Sequence, residues 1–197
     1  MQYNLSEITE LIRSRRSVAP EHFSDRKVHQ EQIELLLSNA TWAPTHGMTQ
    51  PWRFAVYANS KKEDLKEAMV KAMTDGVDPL DINTSVLERM QMRMSKASVA
   101  IVLCMHRDPA AKVPEWEEIA AMGAAVQNLH LTAVAYGLAG FWATPGVIKK
   151  DIFRSFIGID EHTQCLGIFY VGYPAHQDFK SHRKPLEYVT QWNWDNE

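Results

Sequence analysis

The feature of this 197-residue chain that most restricts its fold is a stretch near the middle, residues 115–136, which reads as one long helix that is apolar almost all round. Over residues 119–126 nearly every position is apolar, and Ala120, Ala121, Gly123, Ala124 and Ala125 make a band of small side chains. A helix hydrophobic on every side has to be buried. In a chain of this length the simplest partner for such a helix is its own copy, so the sequence predicts a homodimer built around it. Gln127, Asn128 and His130 interrupt the apolar run, which argues against a membrane span.

The remaining elements follow from periodicity. Ile8, Leu11 and Ile12 repeat at helical spacing behind Ser6, which is expected to cap a first helix. Residues 29–42 form a second helix, with Ile33, Leu36, Leu37 and Ala40 on one side. Residues 53–57 read as a strand, and residues 61–73 as a helix capped by Ser60 and broken at Asp75-Gly76. Residues 82–94 carry Met90, Met92 and Met94, adaptable side chains for a core or lid helix rather than a metal or cofactor motif. Residues 99–105 form a continuous apolar run, expected of a central strand covered on both faces. After the long helix, Gly137 ends it, and residues 138–144, 149–156 and 164–173 read as strand, short helix and strand. We expect one domain over residues 1–197. From about residue 175 it becomes a C-terminal tail whose Tyr188, Trp192 and Trp194 pack on the partner subunit.

Several function classes are disfavoured. With 21 Lys and Arg against 24 Asp and Glu, the chain has no global basic field for nucleic acid or an anionic membrane, so any anion site is local. Cys104 and Cys165, the only cysteines, lie in apolar runs and read as buried thiols, which suits a reducing, cytoplasmic setting. The first residues lack the apolar core of a secretory signal. The eight histidines show no His-x-x-x-His pair and no metal is expected; His130, inside the buried helix, reads as a satisfied core histidine. No Gly-x-Ser-x-Gly elbow, dinucleotide fingerprint or phosphate loop occurs.

What remains is a set of separated polar pieces. The segment Ala43-Pro44-Thr45-His46-Gly47-Met48-Thr49-Gln50-Pro51-Trp52 leaves a helix at a proline, turns at a glycine, and brings an amide and a ring to the start of a strand. It is a candidate site loop for a flat, polar-edged ligand. Arg13, Arg15, Arg16 and Ser17 cluster at the end of the first helix. Taken alone they read as cations complementing the helix dipole, or else as a phosphate clamp, and spacing does not decide between the two.

Taken together, Arg15-Arg16-Ser17, Ala43-Pro44 with Gln50-Pro51-Trp52, residues 123–129 (GAAVQNL), Gly137-Leu138, Gly140 with Trp142, and Gly172-Tyr173-Pro174 resemble the FMN-dependent nitroreductase family. Lys112-Val113-Pro114 with Trp116-Glu117 is similar to its small single-domain branch. The match runs in family order over nearly the whole chain. It implies an α+β, nitroreductase-like fold with a central, mainly antiparallel sheet flanked by helices, and an intertwined homodimer with FMN sites at the subunit interface. It further implies that Arg15, Arg16 and Ser17 hold the FMN phosphate and ribityl chain, with Arg183 a further phosphate ligand. Trp42, His46 and Gln50 then sit beside the flavin from the other subunit, and Trp142, Ala143 and Thr144 line the same pocket.

The activity implied is that of an NAD(P)H oxidoreductase of ping-pong type: NADH or NADPH reduces FMN, and a nitroaromatic, quinone or similar small-molecule acceptor is then reduced. The flavin supplies the chemistry and no residue is assigned as catalytic, with His46 a contributor. The alternative is a flavin-binding or delivery protein, or a dehydrogenase or dehalogenase on the same fold. Two positions depart from larger family members. Ala19 stands where a basic residue is common and Met48 where an asparagine is, which leaves His46 as the substitute donor.

Overall fold

A computed structural model describes residues 3–176 and 178–194. Four strands, β1 (Trp52–Ala58), β2 (Val99–His106), β3 (Ala139–Ala143) and β4 (Thr163–Gly172), form one sheet in the order β1-β2-β4-β3. Every neighbouring pair is antiparallel. Among the described residues six α-helices accompany it: α1 (Leu5–Ser14), α2 (Gln30–Ala40), α3 (Lys61–Thr74), α4 (Thr84–Lys96), α5 (Glu115–Ala135) and α6 (Asp151–Phe156). This is the α+β class the sequence predicts.

The period-two alternation of strand side chains divides the core into two layers. Ile101, Leu103, Phe169 and Val171 face α2 and α5, together with Leu36, Met122 and Leu129. Ala100, Val102, Ile168 and Tyr170 face the opposite side, where Leu65, Met69, Met90, Met94 and Phe153 of α3, α4 and α6 cover them. With both faces covered, all of β2 except His106 is buried, which explains its unbroken apolar sequence.

Local chemistry sets the element ends. The cap of α1 is Asn4 and not Ser6: its Oδ1 accepts the amides of Ser6 and Glu7 at 3.0 and 3.4 Å, and its extended backbone lies outside the helix. Gly137, at φ 72°, terminates α5 and lets the Leu138 amide donate back to the Ala133 carbonyl at 2.8 Å. Met90 and Met94 are core residues of α4, whose start falls at Thr84 because the Asn83 side chain caps it. Lys62, buried on α3, donates its Nζ to the carbonyls of Met94 and Ala97 at the C-terminal end of α4.

The long helix departs from all-round burial within one chain. Ala121, Met122, Ala125, Val126, Leu129 and Ala133 are buried, whereas Trp116, Ile119, Ala120 and Gln127 on another face are exposed. A Cβ added at Gly123 would meet nothing within 4 Å. The chain covers one side of α5 and leaves the other open. Tyr188, Trp192 and Trp194 of the tail are exposed as well.

Candidate functional site

The arginine clamp is built where α1 ends. Arg15 leaves helical geometry, Ser17 bridges to Gly140, and the Val18 amide donates to the Gly140 carbonyl at 3.1 Å, so residues 15–18 are pinned to the outer edge of β3. Gly140 is required there because a Cβ would drive into the ring of Phe169. The tail returns to the same place: Arg16 donates Nε to the Phe179 carbonyl at 3.0 Å and Nη1 to the carbonyls of Arg13 and Arg15. Arg183 lies near enough that its charge, after burial and ahead of that of Arg16, pulls the proton affinity of the Arg15 guanidinium below its usual value. Among the described residues, Arg15, Arg16 and Arg183 pair with no carboxylate. Arg15 is thus held beside two further guanidinium charges, with no carboxylate partner among the described residues.

His130 lies below the clamp and is not the satisfied core histidine that the sequence suggests. Its imidazole is buried edge-on against Phe169, with ring centroids 4.7 Å apart, and Nδ1 finds no hydrogen-bond partner among the described residues. Burial, and then the charge of Arg15, push its pKa down to about 4.

The site loop is held in unusual backbone geometry. Gly47 has positive φ, as the sequence suggests, but so do Met48 (54°) and Gln50 (45°), which as non-glycine residues store strain there. The Thr45 hydroxyl oxygen accepts the Gln50 amide at 3.2 Å and pairs with the Thr49 hydroxyl at 3.1 Å, cross-bracing the turn. The Pro51 carbonyl accepts the His106 amide at 2.7 Å, tying the loop's exit to the sheet. The contact the sequence does not show is His46 Nδ1 to Glu117 Oε2 at 2.5 Å, made across 71 positions to the first turn of α5. Trp42, ahead of the loop, is 84% exposed and touches little of its own chain.

Trp142 and Ala143 end β3, beside which the clamp is pinned, and Thr144 follows it. The Trp142 indole donates Nε1–H to the Leu166 carbonyl at 3.1 Å and packs partly into the core, while Thr144 is exposed. A cavity of ≈ 370 Å³ borders these three residues between β3 and α4.

The residues that the sequence singles out therefore do not all come together within one chain. Arg15, Arg16, Ser17, Arg183, Trp142, Ala143 and Thr144 share the β3 edge. His46 reaches the N-terminal end of α5 through Glu117, with Gln50 in the same loop, whereas Trp42 donates its amide to the Asn39 carbonyl, which also accepts Asn128 Nδ2 toward the other end of that helix. Glu117, which holds His46, and His130, which feels Arg15, are thirteen positions apart on α5, or about 20 Å along a helix rising 1.5 Å per residue.

Comparison with known proteins agrees with this architecture. A family model described as "Nitroreductase family" matches residues 12–173. A protein of Archaeoglobus fulgidus provisionally named NADH dehydrogenase/NAD(P)H nitroreductase is 32% identical over 173 residues, covering 86% of this chain and 87% of that protein. Among solved structures, a nitroreductase-like family protein from Bacillus cereus superposes with a TM-score of 0.83 at 26% identity, covering 98% of this chain and 97% of that one. The FMN-dependent nitroreductase NfnB of Mycobacterium smegmatis, solved in complex with NADPH, shares the fold with a TM-score of 0.77 at 20% identity, covering 97% and 100%. The chain belongs to the nitroreductase family.

Proposed function

We propose that this member of the nitroreductase family is an FMN-dependent NAD(P)H oxidoreductase that passes electrons to a nitroaromatic, quinone or similar electron-poor acceptor by a ping-pong route. The observation that carries the reading is the group of Arg15, Arg16 and Arg183 at the β3 edge, which no carboxylate among the described residues neutralises. A phosphate monoester supplies the charge this cluster lacks, and planar guanidinium forks match its oxygens. Ser17, exposed beside Gly140, adds a hydroxyl for the phosphate or ribityl chain. Trp142 and Ala143 at the end of β3, with Thr144 just beyond it, would line the same pocket.

A flavin held there would supply the hydride and electron chemistry between NADH or NADPH and the acceptor. The chain's own task is to hold the cofactor, orient its faces and admit the two substrates in turn. Trp42, His46 and Gln50 serve as the other wall of the pocket. Because Glu117, which holds His46, stands about 20 Å along α5 from His130, which feels Arg15, we assign the His46 loop to the site of a second subunit. The uncovered stripe of α5, the apolar residues Leu5, Ile8 and Ile12 exposed on α1, and the exposed tail aromatics give the surface such a homodimer would bury.

The test begins with colour. Purified protein should be yellow, should sediment as a dimer at micromolar concentration, and should bleach anaerobically with NADH or NADPH. A colourless protein that takes up no added FMN sinks the reading. A yellow protein that neither nicotinamide bleaches would be a flavin-binding protein or an enzyme with another reductant.

A further inference from the structure

We propose that Glu117 is a positioning residue that fixes the His46 tautomer, and that His46, so fixed, delivers the proton an acceptor needs as it is reduced. The inference rests on the flavin-site reading above and deepens it. The contact of 2.5 Å between His46 Nδ1 and Glu117 Oε2 is the side-chain bond that spans from the site loop to α5. A carboxylate in that position accepts Nδ1–H, so a neutral imidazole carries its proton on Nδ1 and presents Nε2 as a free lone pair.

The surroundings select Glu117 for this task. The adjacent Glu118 is buried and taken up by Arg107 and by the Asp108 amide, whereas the Glu117 carboxylate is bonded, among the described residues, only to His46. The imidazole itself is 69% exposed, and Nε2 has no partner among the described residues, so it is open to a ligand. The strain at Met48 and Gln50 and the brace from Thr45 hold the loop that carries it. A side chain tethered at one nitrogen, open at the other, and carried on a strained loop is arranged to exchange a proton with something outside the protomer.

The reaction needs such a group. Reduction of a quinone to a hydroquinone takes two electrons and two protons; NAD(P)H supplies both electrons and one hydrogen as hydride, and the second hydrogen arrives as a proton. An imidazolium Nε2–H gives that proton to the acceptor oxygen, the Nδ1–H bond to Glu117 persists, and the imidazole is reprotonated from solvent.

The experiment has one reading without flavin and one with it. In flavin-free protein, ¹⁵N imidazole shifts should show the neutral His46 ring in its Nδ1–H form, and Glu117→Ala should return it to the usual excess of Nε2–H. In FMN-loaded protein reduced beforehand with NADPH, reoxidation by benzoquinone, which needs protons, is compared with reoxidation by ferricyanide, which does not. The quinone-to-ferricyanide rate ratio should fall on the order of a hundredfold in His46→Phe and about tenfold in Glu117→Ala. The double variant should be no worse than His46→Phe, since Glu117 acts through His46. An Nε2–H ring in the native protein, an unchanged ratio, or a double variant with a further loss overturns the proposal. If the protein binds no FMN, the flavin reading and this proposal fall together; if it binds FMN and the ratio does not move, only the proposal falls.

Discussion

His130 gives the fold an acid-sensitive point whose size follows from its burial. In the unfolded chain an imidazole titrates near 6.5, while in the folded chain burial and the Arg15 charge lower this to about 4. Between those values the unfolded state binds more protons, so stability is complete above about pH 6.5, declines as pH falls, and reaches its full loss below about pH 4. At about 1.36 kcal/mol for each pH unit the whole effect is about 3 kcal/mol, of which roughly 2.5 kcal/mol is lost by pH 4.5. His130→Leu keeps most of the volume against Phe169 and removes the titration. Urea midpoints of flavin-free protein at pH 7.5 and 4.5 isolate the effect, because carboxylates common to both proteins cancel in the difference. The wild type should lose roughly 2–3 kcal/mol more than the variant over that interval. Parallel losses would refute the reasoning and mean that the ring reaches water or a partner when it is charged.

Three further substitutions probe the clamp and the core. Arg15→Ala should weaken FMN retention by roughly 1.5–3 kcal/mol, the size of a hydrogen bond to a charged group, and equilibrium dialysis of FMN measures it; unchanged affinity would place the phosphate elsewhere. Gly140→Ala forces a methyl group into the Phe169 ring, and a loss of about 1–3 kcal/mol in denaturant stability is expected. Lys62→Ala strips the Met94 and Ala97 carbonyls of their shared donor and should cost about 1–3 kcal/mol by the same measurement.

What the sequence made legible was local or spread over the whole chain. The apolar run of β2 announced a strand covered on both faces, and Gly137 announced the end of α5, because each depends on neighbours within a few residues. The resemblance was legible because its motifs recur in order. Contacts between distant segments were not. Nothing near His46 names Glu117 as its partner, and nothing near Lys62 says that its stem crosses to the end of α4. Cys104 and Cys165 read as two isolated buried thiols, yet the β2–β4 register sets them directly opposite, with an irregularity between Leu103 and Cys104. The neighbouring Cys165 thiol, and then burial, push the Cys104 thiol up, so it stays protonated. The positive φ at Met48 and Gln50 escaped for another reason: side-chain type signals left-handed geometry for glycine and asparagine, not for methionine or glutamine.

The helix that most restricts the fold also spaces the two proposed half-sites. Glu117 marks the His46 end of α5 and His130 marks the clamp end, and the midpoint falls between Gly123 and Ala124; Gly123 lies on the uncovered stripe, where an added methyl group would meet nothing within 4 Å. If two copies pack α5 against α5 in antiparallel fashion with the two-fold axis passing near Gly123, the loop end of each helix falls beside the clamp end of the other. Both half-sites are then completed at once, and small residues at the crossing are what a close approach demands. A residue on a two-fold axis faces its own copy, so Gly123→Cys should give a dimer linked by a disulfide under mild oxidation, visible on a non-reducing gel, with Cys104 and Cys165 too buried to compete. A dimer in solution that does not crosslink at this position would move the axis off the centre of α5, and the half-sites would have to meet by another geometry.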